Sequence, residues 1–298
     1  GNDKTQYFIG LGYVGNSGFL KYGPDATQRY NGRLNLTTKF NKTFSLDSRL
    51  AFTQQNVQQS NATVYGDYGL LYNLYNIRQI YPVYVPGSNN TQYVSGSGGA
   101  STIGNLKDGG YNKSYQQLID ATFTLKAENL AKGLVLNLVY SPHIDQLSRN
   151  QFVRTVPTYA WDRGKQEFVQ NNFINPTNSV AKARTKQISY SANATADYTL
   201  DLGDHHFKAL GGFQYQYYNY DNVYGRKTGL INNNLPTLNY TTAANLPIDF
   251  VGDNIQTNVW VSLFGRLNYD YKNKYYIEAT VRNDASSQLA TGNKTQTF

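Results

Sequence analysis

The sequence contains no cysteine and no methionine, and charged residues make up only 15% of its 298 positions. Without cysteine, a disulfide framework and a thiolate metal site are both excluded. Because methionine is missing even at position 1, we interpret the sequence as a processed chain or as a piece of a longer one. Charged residues normally make up about 25% of a globular domain, so Asn, Gln, Ser, Thr and Tyr must supply much of the polar surface.

The sequence also has no apolar run that approaches the roughly 18 residues of a membrane-spanning helix. This absence excludes a spanning helix, but strands that alternate apolar and polar residues escape that criterion. The net charge is +8, yet the basic residues are scattered and no run of five like charges occurs. We therefore do not expect nucleic acid as a partner.

Tyrosine, in contrast, occurs 27 times, often in stretches where apolar and polar residues alternate. In residues 265–284, GRLNYDYKNKYYIEATVRND, Leu267 and Ile277 fall on one face, and Arg266 and Glu278 fall on the other. A period of two residues is typical of a β-strand with different surroundings on its two faces. Nine such stretches predict nine antiparallel strands, which begin near positions 7, 30, 44, 119, 134, 188, 207, 259 and 275.

The connections between these predicted strands alternate in length. Four are tight, at residues 41–43, 131–133, 203–206 and 272–274, and four are long, at residues 14–27, 57–114, 141–185 and 226–256. Outer-membrane barrels have short periplasmic turns and long extracellular loops. The spacing of aromatic residues agrees, because Tyr30 and Phe40 would lie about 25 Å apart in height on a strand tilted by about 40°.

The pattern therefore predicts an all-β fold, part of an antiparallel transmembrane β-barrel with about nine strands of a larger barrel. The apolar face would contact lipid and the polar face would line the interior. A soluble antiparallel sheet with one buried face shows the same alternation and stays open as an alternative.

Three blocks also resemble a known family. The ending FGRLNYDYKNKYYIEATVRNDASSQLATGNK, residues 264–294, resembles a segment of the SusC/RagA-type TonB-dependent transporters of Bacteroidota outer membranes. The opening GNDKTQYFIGLGYVGNSGFLK with RYNGRLNLTTKF, and the later HHFKALGGFQYQ, resemble other barrel strands of that family. The resemblance implies a barrel of about 22 strands with an N-terminal plug, a SusD-type lipoprotein lid and TonB-powered uptake of glycans or peptides. On this reading, residues 1–298 are a partial barrel domain that lacks the plug, the TonB-contacting segment and the remaining strands.

Two other functions stay open from the residues themselves. One is a passive, porin-like barrel, and the other is a soluble β-rich carbohydrate-binding or adhesin module. We expect no enzymatic activity, because no nucleophile-elbow or phosphate-loop pattern occurs. The three histidines, His143, His205 and His206, do not predict a metal site, and no cofactor is expected. His143 has no evident partner in the sequence.

Aromatic residues in the predicted long loops and at the inner wall are the candidate substrate-binding residues, since aromatic rings stack on the apolar faces of sugars. They are Tyr81, Tyr84, Tyr93, Trp161 and Trp260, the last facing inward near the outer end of the eighth strand. Each tyrosine could instead pack the loops against one another, and this alternative to substrate binding stays open. The tyrosine-rich stretch from Tyr68 to Ile80 has helical spacing that ends at Pro82.

Overall fold

The computed structural model, which describes residues 1–63, 75, 80–96, 98–239, 250–289 and 295–297, is dominated by antiparallel β-structure. In chain order, its strands are β1 (Thr5–Asn16), β2 (Asp25–Lys39), β3 (Phe44–Ser60), β4 (Tyr93–Val94), β5 (Gly110–Glu128), β6 (Leu134–Val153), β7 (Val156–Asp162), β8 (Glu167–Ile174), β9 (Ser179–Leu202), β10 (His205–Thr228), β11 (Phe250–Tyr271), β12 (Tyr275–Ser286) and β13 (Thr295–Thr297). A 3-10 turn, Asn61–Thr63, follows β3, and helix α1, Gly98–Asp108, precedes β5. None of the helices in these ranges is long and apolar enough to cross a membrane.

Ten strands form one large sheet in the order β1-β2-β3-β5-β6-β9-β10-β11-β12-β13. All nine strands predicted from alternation are present in it and pair with their neighbours in sequence order. The short strand β13 adds a tenth member. The strands β4, β7 and β8 form a separate three-stranded sheet that the alternation did not predict.

Tight turns join the strands at one end of the large sheet, which we call the short-turn end. Between β11 and β12, Lys272 and Asn273 both have a φ of 53°, as a type I′ turn requires. The Lys274 N–H donates to the Tyr271 carbonyl at 3.0 Å and closes this turn. The long connections all lie at the opposite end, the long-loop end, as predicted.

Several strands are longer than the alternation predicted. Strand β6 continues to Val153 and β9 begins at Ser179, so the predicted loop 141–185 is in fact mostly strand. In the segment HIDQLSRNQF both faces carry polar residues. Because both faces of this part of the strand meet the same solvent, apolar and polar residues no longer alternate there. The backbone pairing nevertheless continues.

Through the middle of the sheet, the register aligns apolar residues with apolar residues on neighbouring strands. One row through its middle contains Leu125, Leu138, Ala194, Phe213 and Leu263. The opposite face carries polar rows, such as Lys208 beside Asn268 and Glu278. A slip of one residue would exchange the faces, so this agreement over many strands identifies one apolar face and one polar face.

Aromatic side chains cluster at two heights on the apolar face. Toward the long-loop end, Tyr190 lies 5.9 Å from Tyr140 and 5.0 Å from Tyr217, measured between ring centroids. Toward the short-turn end, Tyr269 lies 4.9 Å from Phe207. The band between these clusters contains mostly aliphatic and small residues, with Phe213 as an aromatic member of its middle row.

Candidate functional site

Parts of two long connections at the long-loop end fold into an ordered unit, which we call the loop platform. It comprises residues 80–96, helix α1 and the β7–β8 hairpin. Strand β4 pairs with β7 in parallel, and a single bridge joins Tyr84 to Tyr93. The platform has its own small core, in which Tyr93 and Val156 are packed against half-buried neighbours: Val83, Tyr84, Ile103 and Ile174.

Tyr93 is the centre of that core rather than an exposed binding residue. Its side chain is 1% exposed, and its hydroxyl donates to Asp108 Oδ2 at 2.5 Å. Burial, with the bond to Asp108, raises the pKa of the Tyr93 hydroxyl well above its usual range, so the group stays a donor. The expectation that Tyr93 contacts substrate is wrong, because neither face of its ring is accessible.

Two asparagine side chains, the half-buried Asn175 and the buried Asn178, attach the platform and its neighbouring loop to the large sheet. Asn175 Nδ2 donates to Asn105 Oδ1 at 2.9 Å and to the Arg154 carbonyl at 3.0 Å. Asn178 accepts from the Leu230 N–H at 2.6 Å and donates to the Leu230 carbonyl at 3.1 Å. An amide that satisfies buried backbone groups in this way fixes a loop in one conformation.

The β1–β2 connection also packs on the platform, and Gly23 makes this possible. Gly23 has a φ of +78°, and a Cβ atom there would lie 2.1 Å from the Leu106 carbonyl oxygen at the end of α1. We expect Gly23→Ala to destabilise this contact by about 2 kcal/mol or more, from backbone strain and the clash together. Faster hydrogen exchange in residues 17–24 and in α1 of the full-length Gly23→Ala variant, relative to the wild type, would show this loss of stability.

Gly87 provides the matched control for this prediction. Its φ is +79°, but no atom lies within 4 Å of the position where a Cβ would be placed. Gly87→Ala therefore carries only the backbone strain of about 1 kcal/mol. Equal exchange in the two variants would contradict the proposed close packing at Gly23.

Two of the predicted aromatic residues are exposed on the platform. Tyr81 is 48% exposed, and Trp161 is 49% exposed near the tip of the β7–β8 hairpin, where it packs edge-on against Phe168 at 5.3 Å. Tyr84 is half-buried, because one side packs against the Tyr93 ring in a tilted arrangement, with the ring centroids 5.3 Å apart. Lys107 Nζ lies 5.7 Å from the Tyr84 ring centroid. The tyrosine-rich stretch from Tyr68 to Ile80 lies mostly outside the described residues.

Trp260 lies on the polar face, about midway along β11, where it pairs with Gln216 and Ser286. It is not near the end of its strand, because β11 begins at Phe250 rather than near Val259. Arg282, four residues before Ser286 on β12, forms hydrogen bonds with polar side chains of the row next to Trp260. Its Nε donates to Asp284 Oδ1 at 2.7 Å, and its Nη2 donates to Gln214 Oε1 and Ser262 Oγ at 3.0 and 2.9 Å.

The three histidines have partners that the sequence alone did not reveal. His143 Nδ1 lies 2.6 Å from Asp120 Oδ1 on the polar face, so this residue is not isolated. The register of the β5–β6 hairpin, which places these two residues opposite each other, is the signal that would have found the pair. His206 contacts Asp201 at 2.6 Å, and His205 contacts the Tyr269 hydroxyl at 2.7 Å. Within the described ranges, no three His, Asp or Glu side chains are grouped as metal ligands would be.

No family model matches the chain, but two curated relatives and several solved structures do. TonB-dependent receptor P26 of Formosa agariphila is 26% identical over 308 aligned positions, which cover 98% of this chain and 28% of that protein. TonB-dependent receptor P3 of the same organism is 29% identical over 99 positions, 33% of this chain. The chain thus spans less than a third of the length of these relatives.

The RagAB peptide importer in its open-open state superposes on all of this chain with a TM-score of 0.74 and 20% identity. The match covers 32% of the RagAB chain. The siderophore receptor PiuA of Acinetobacter baumannii superposes with a TM-score of 0.50 and 12% identity. The predicted resemblance to the SusC/RagA-type TonB-dependent transporters is confirmed. The fold is a portion of such an antiparallel barrel, and the relatives are named as receptors and importers, not as enzymes.

Proposed function

We propose that this chain forms part of the barrel wall of a TonB-dependent outer-membrane importer for oligosaccharides or peptides. The observation that carries the proposal is the continuous register of the large sheet, with an apolar face, a polar face and every tight turn at one end. The similarity to TonB-dependent receptors over 98% of the chain supports the same conclusion. In this proposal residues 1–298 are one part of a barrel domain, whose plug and closing strands belong to the full-length protein.

The two faces define the placement in the membrane. The apolar face contacts lipid between the two aromatic clusters, and the short-turn end faces the periplasm. On the polar face, opposite charges lie close together: Arg49 Nε is 3.0 Å from Asp47 Oδ1, and Lys126 pairs with Glu128. Such a neutralised wall suits contact with an enclosed plug better than an open, ion-selective pore.

The substrate would enter past the loop platform and then along the polar face. Tyr81 and Trp161 offer exposed rings at the entrance, and Trp260 offers a ring inside. Aromatic rings of this kind bind the apolar faces of sugars and the side chains of peptides. A SusD-type lipoprotein would cover the platform from outside. Because the similar RagAB structure is that of a peptide importer, we favour a peptide over a glycan as the substrate.

Uptake measurements on cells that produce the full-length protein test the proposal against its two alternatives. A TonB-dependent importer loses uptake when a protonophore collapses the proton gradient of the inner membrane, whereas a passive porin-like barrel keeps it. A soluble carbohydrate-binding module would be recovered without detergent and would give no uptake. Uptake that survives the protonophore would exclude the TonB-dependent function.

We expect Trp161→Ala and Trp260→Ala to weaken substrate binding by the full-length importer about tenfold each, as loss of an aromatic anchor commonly does. Calorimetry with the transported oligosaccharide or peptide measures the affinity. Phe173→Ala on the same hairpin is the control, because Phe173 is also exposed but lies away from the Trp161–Phe168 pair. Unchanged affinity in either tryptophan variant would remove that residue from the binding site.

A further inference from the structure

Four basic residues lie together on the outward-facing side of the sheet, beyond the aromatic cluster of the long-loop end. Lys182, Arg184 and Lys186 alternate along β9, on the same face as Ile188 and Tyr190, because the β9 pairing continues without a register shift. Lys113 of β5 joins them, since Lys113 and Lys182 both pair with Asn150 of the intervening strand β6. We call these four residues the basic patch.

The position of the basic patch coincides with one border of the proposed lipid band. The row just below it consists of Ile119, Ile144 and Ile188 on three adjacent strands. Lys186 is two residues farther along β9, about 7 Å toward the long-loop end. A cation at this height faces the headgroups of the outer leaflet rather than acyl chains or the barrel interior.

The cations of the basic patch outnumber the carboxylates near them, of which Asp221 lies directly opposite Lys186 on β10. No carboxylate of the described residues forms an ion pair with any of the four; Lys113 Nζ lies over the Tyr111 ring at 4.6 Å. The Arg184 guanidinium donates only to neutral oxygens, including the Ala183 carbonyl at 2.9 Å and Asn150 Oδ1 at 3.4 Å. On the polar face, in contrast, Arg49, Lys126, Arg266 and Arg282 each form an ion pair with a carboxylate.

The groups around the cations are suited to sugar hydroxyls. Arg184 and Lys186 line a shallow hollow of about 220 Å³, together with Gln146, Ser148 and Asp221. Amides extend the polar surface across β5 and β3, where Gln117 Nε2 donates to Gln54 Oε1 at 3.2 Å. Cations beside amides, a hydroxyl and one carboxylate match a phosphate that is attached to a sugar.

We propose that the basic patch binds the phosphorylated sugar headgroup of an outer-leaflet glycolipid, whose acyl chains lie against the isoleucine row and the tyrosines below it. Arg184 and the three lysines contact the phosphate, and Gln146, Ser148 and Asp221 contact sugar hydroxyls. This inference rests on the proposed placement in the outer membrane. The bound glycolipid would hold the loop platform at a fixed height above the bilayer.

Native mass spectrometry of the full-length protein in detergent tests the inference, with monophosphoryl lipid A as the probe. We expect the wild type to retain one glycolipid, and Lys182→Gln/Arg184→Gln/Lys186→Gln to bind it about a hundredfold more weakly, equivalent to about 1 kcal/mol per cation. Lys39→Gln/Lys42→Gln/Lys132→Gln removes the same charge at the short-turn end and should bind as the wild type does.

Three outcomes would overturn the inference: equal binding by the patch variant, equal binding of dephosphorylated lipid A, or equal binding of phosphatidylglycerol. The last would show that a phosphate suffices without the sugar. The result is independent of transport, because binding is measured without uptake. If the wild type instead needs no detergent and binds no lipid, the proposed membrane function itself fails.

Discussion

Replacing Leu138 with arginine should prevent or strongly impair insertion of the barrel, at a cost of about 2–4 kcal/mol. Leu138 lies on the apolar face beside Ala194, which is halfway between Tyr190 and Tyr198 on β9. This position is the middle of the proposed lipid band, where a guanidinium has neither water nor a counter-ion. Urea titration of the full-length protein folded into lipid vesicles measures the loss.

This substitution separates a sheet whose apolar face meets lipid from one whose apolar face meets water. Leu138 is 51% exposed in the chain alone, so a sheet facing water would accept arginine there with little change in stability. Val139→Arg is the control, because Val139 is the next residue, also aliphatic, and points to the polar face between Thr124 and Asn193. Equal stability of the two variants in vesicles would contradict the assignment of the faces.

Tyr93→Ala is expected to unfold the loop platform while the large sheet remains intact. The ring fills the core between α1 and the β7–β8 hairpin, and loss of a buried aromatic ring costs about 3–5 kcal/mol. Among the described residues, this hydrophobic cluster has two buried members, Tyr93 and Val156, so few contacts within it can compensate. Hydrogen exchange should increase in β4, β7 and α1, but not in β9 or β10.

Two variants control this second prediction. Tyr81→Ala removes a half-exposed ring from the same platform and should leave its exchange unchanged. Tyr93→Phe keeps the ring but leaves Asp108 without the hydroxyl donor, which should cost about 1–3 kcal/mol. Protection of the platform in Tyr93→Ala equal to that of the wild type would show that the core is not organised around this ring.

The sequence could not show which of the candidate binding residues are exposed and which are buried. Tyr93 and Trp161 both occur in polar, aromatic loops, and nothing local distinguishes them. Only the packing of α1 and β4 buries Tyr93, while the position of Trp161 near a hairpin tip leaves it exposed. The His143–Asp120 pair likewise required a register between two strands, which adjacent residues in the sequence cannot specify.

The sequence by itself determined the strands, their order and the character of their two faces, because a period of two residues records which solvent each face meets. It also placed the tight turns at one end. Only the tertiary structure decided how far the strands extend beyond the apolar band and how the loops fold. In those regions both faces meet water, so the alternation is lost. The conformation of these loops depends on contacts between residues that are distant in sequence, such as Asn178 with Leu230 and Gly23 with Leu106.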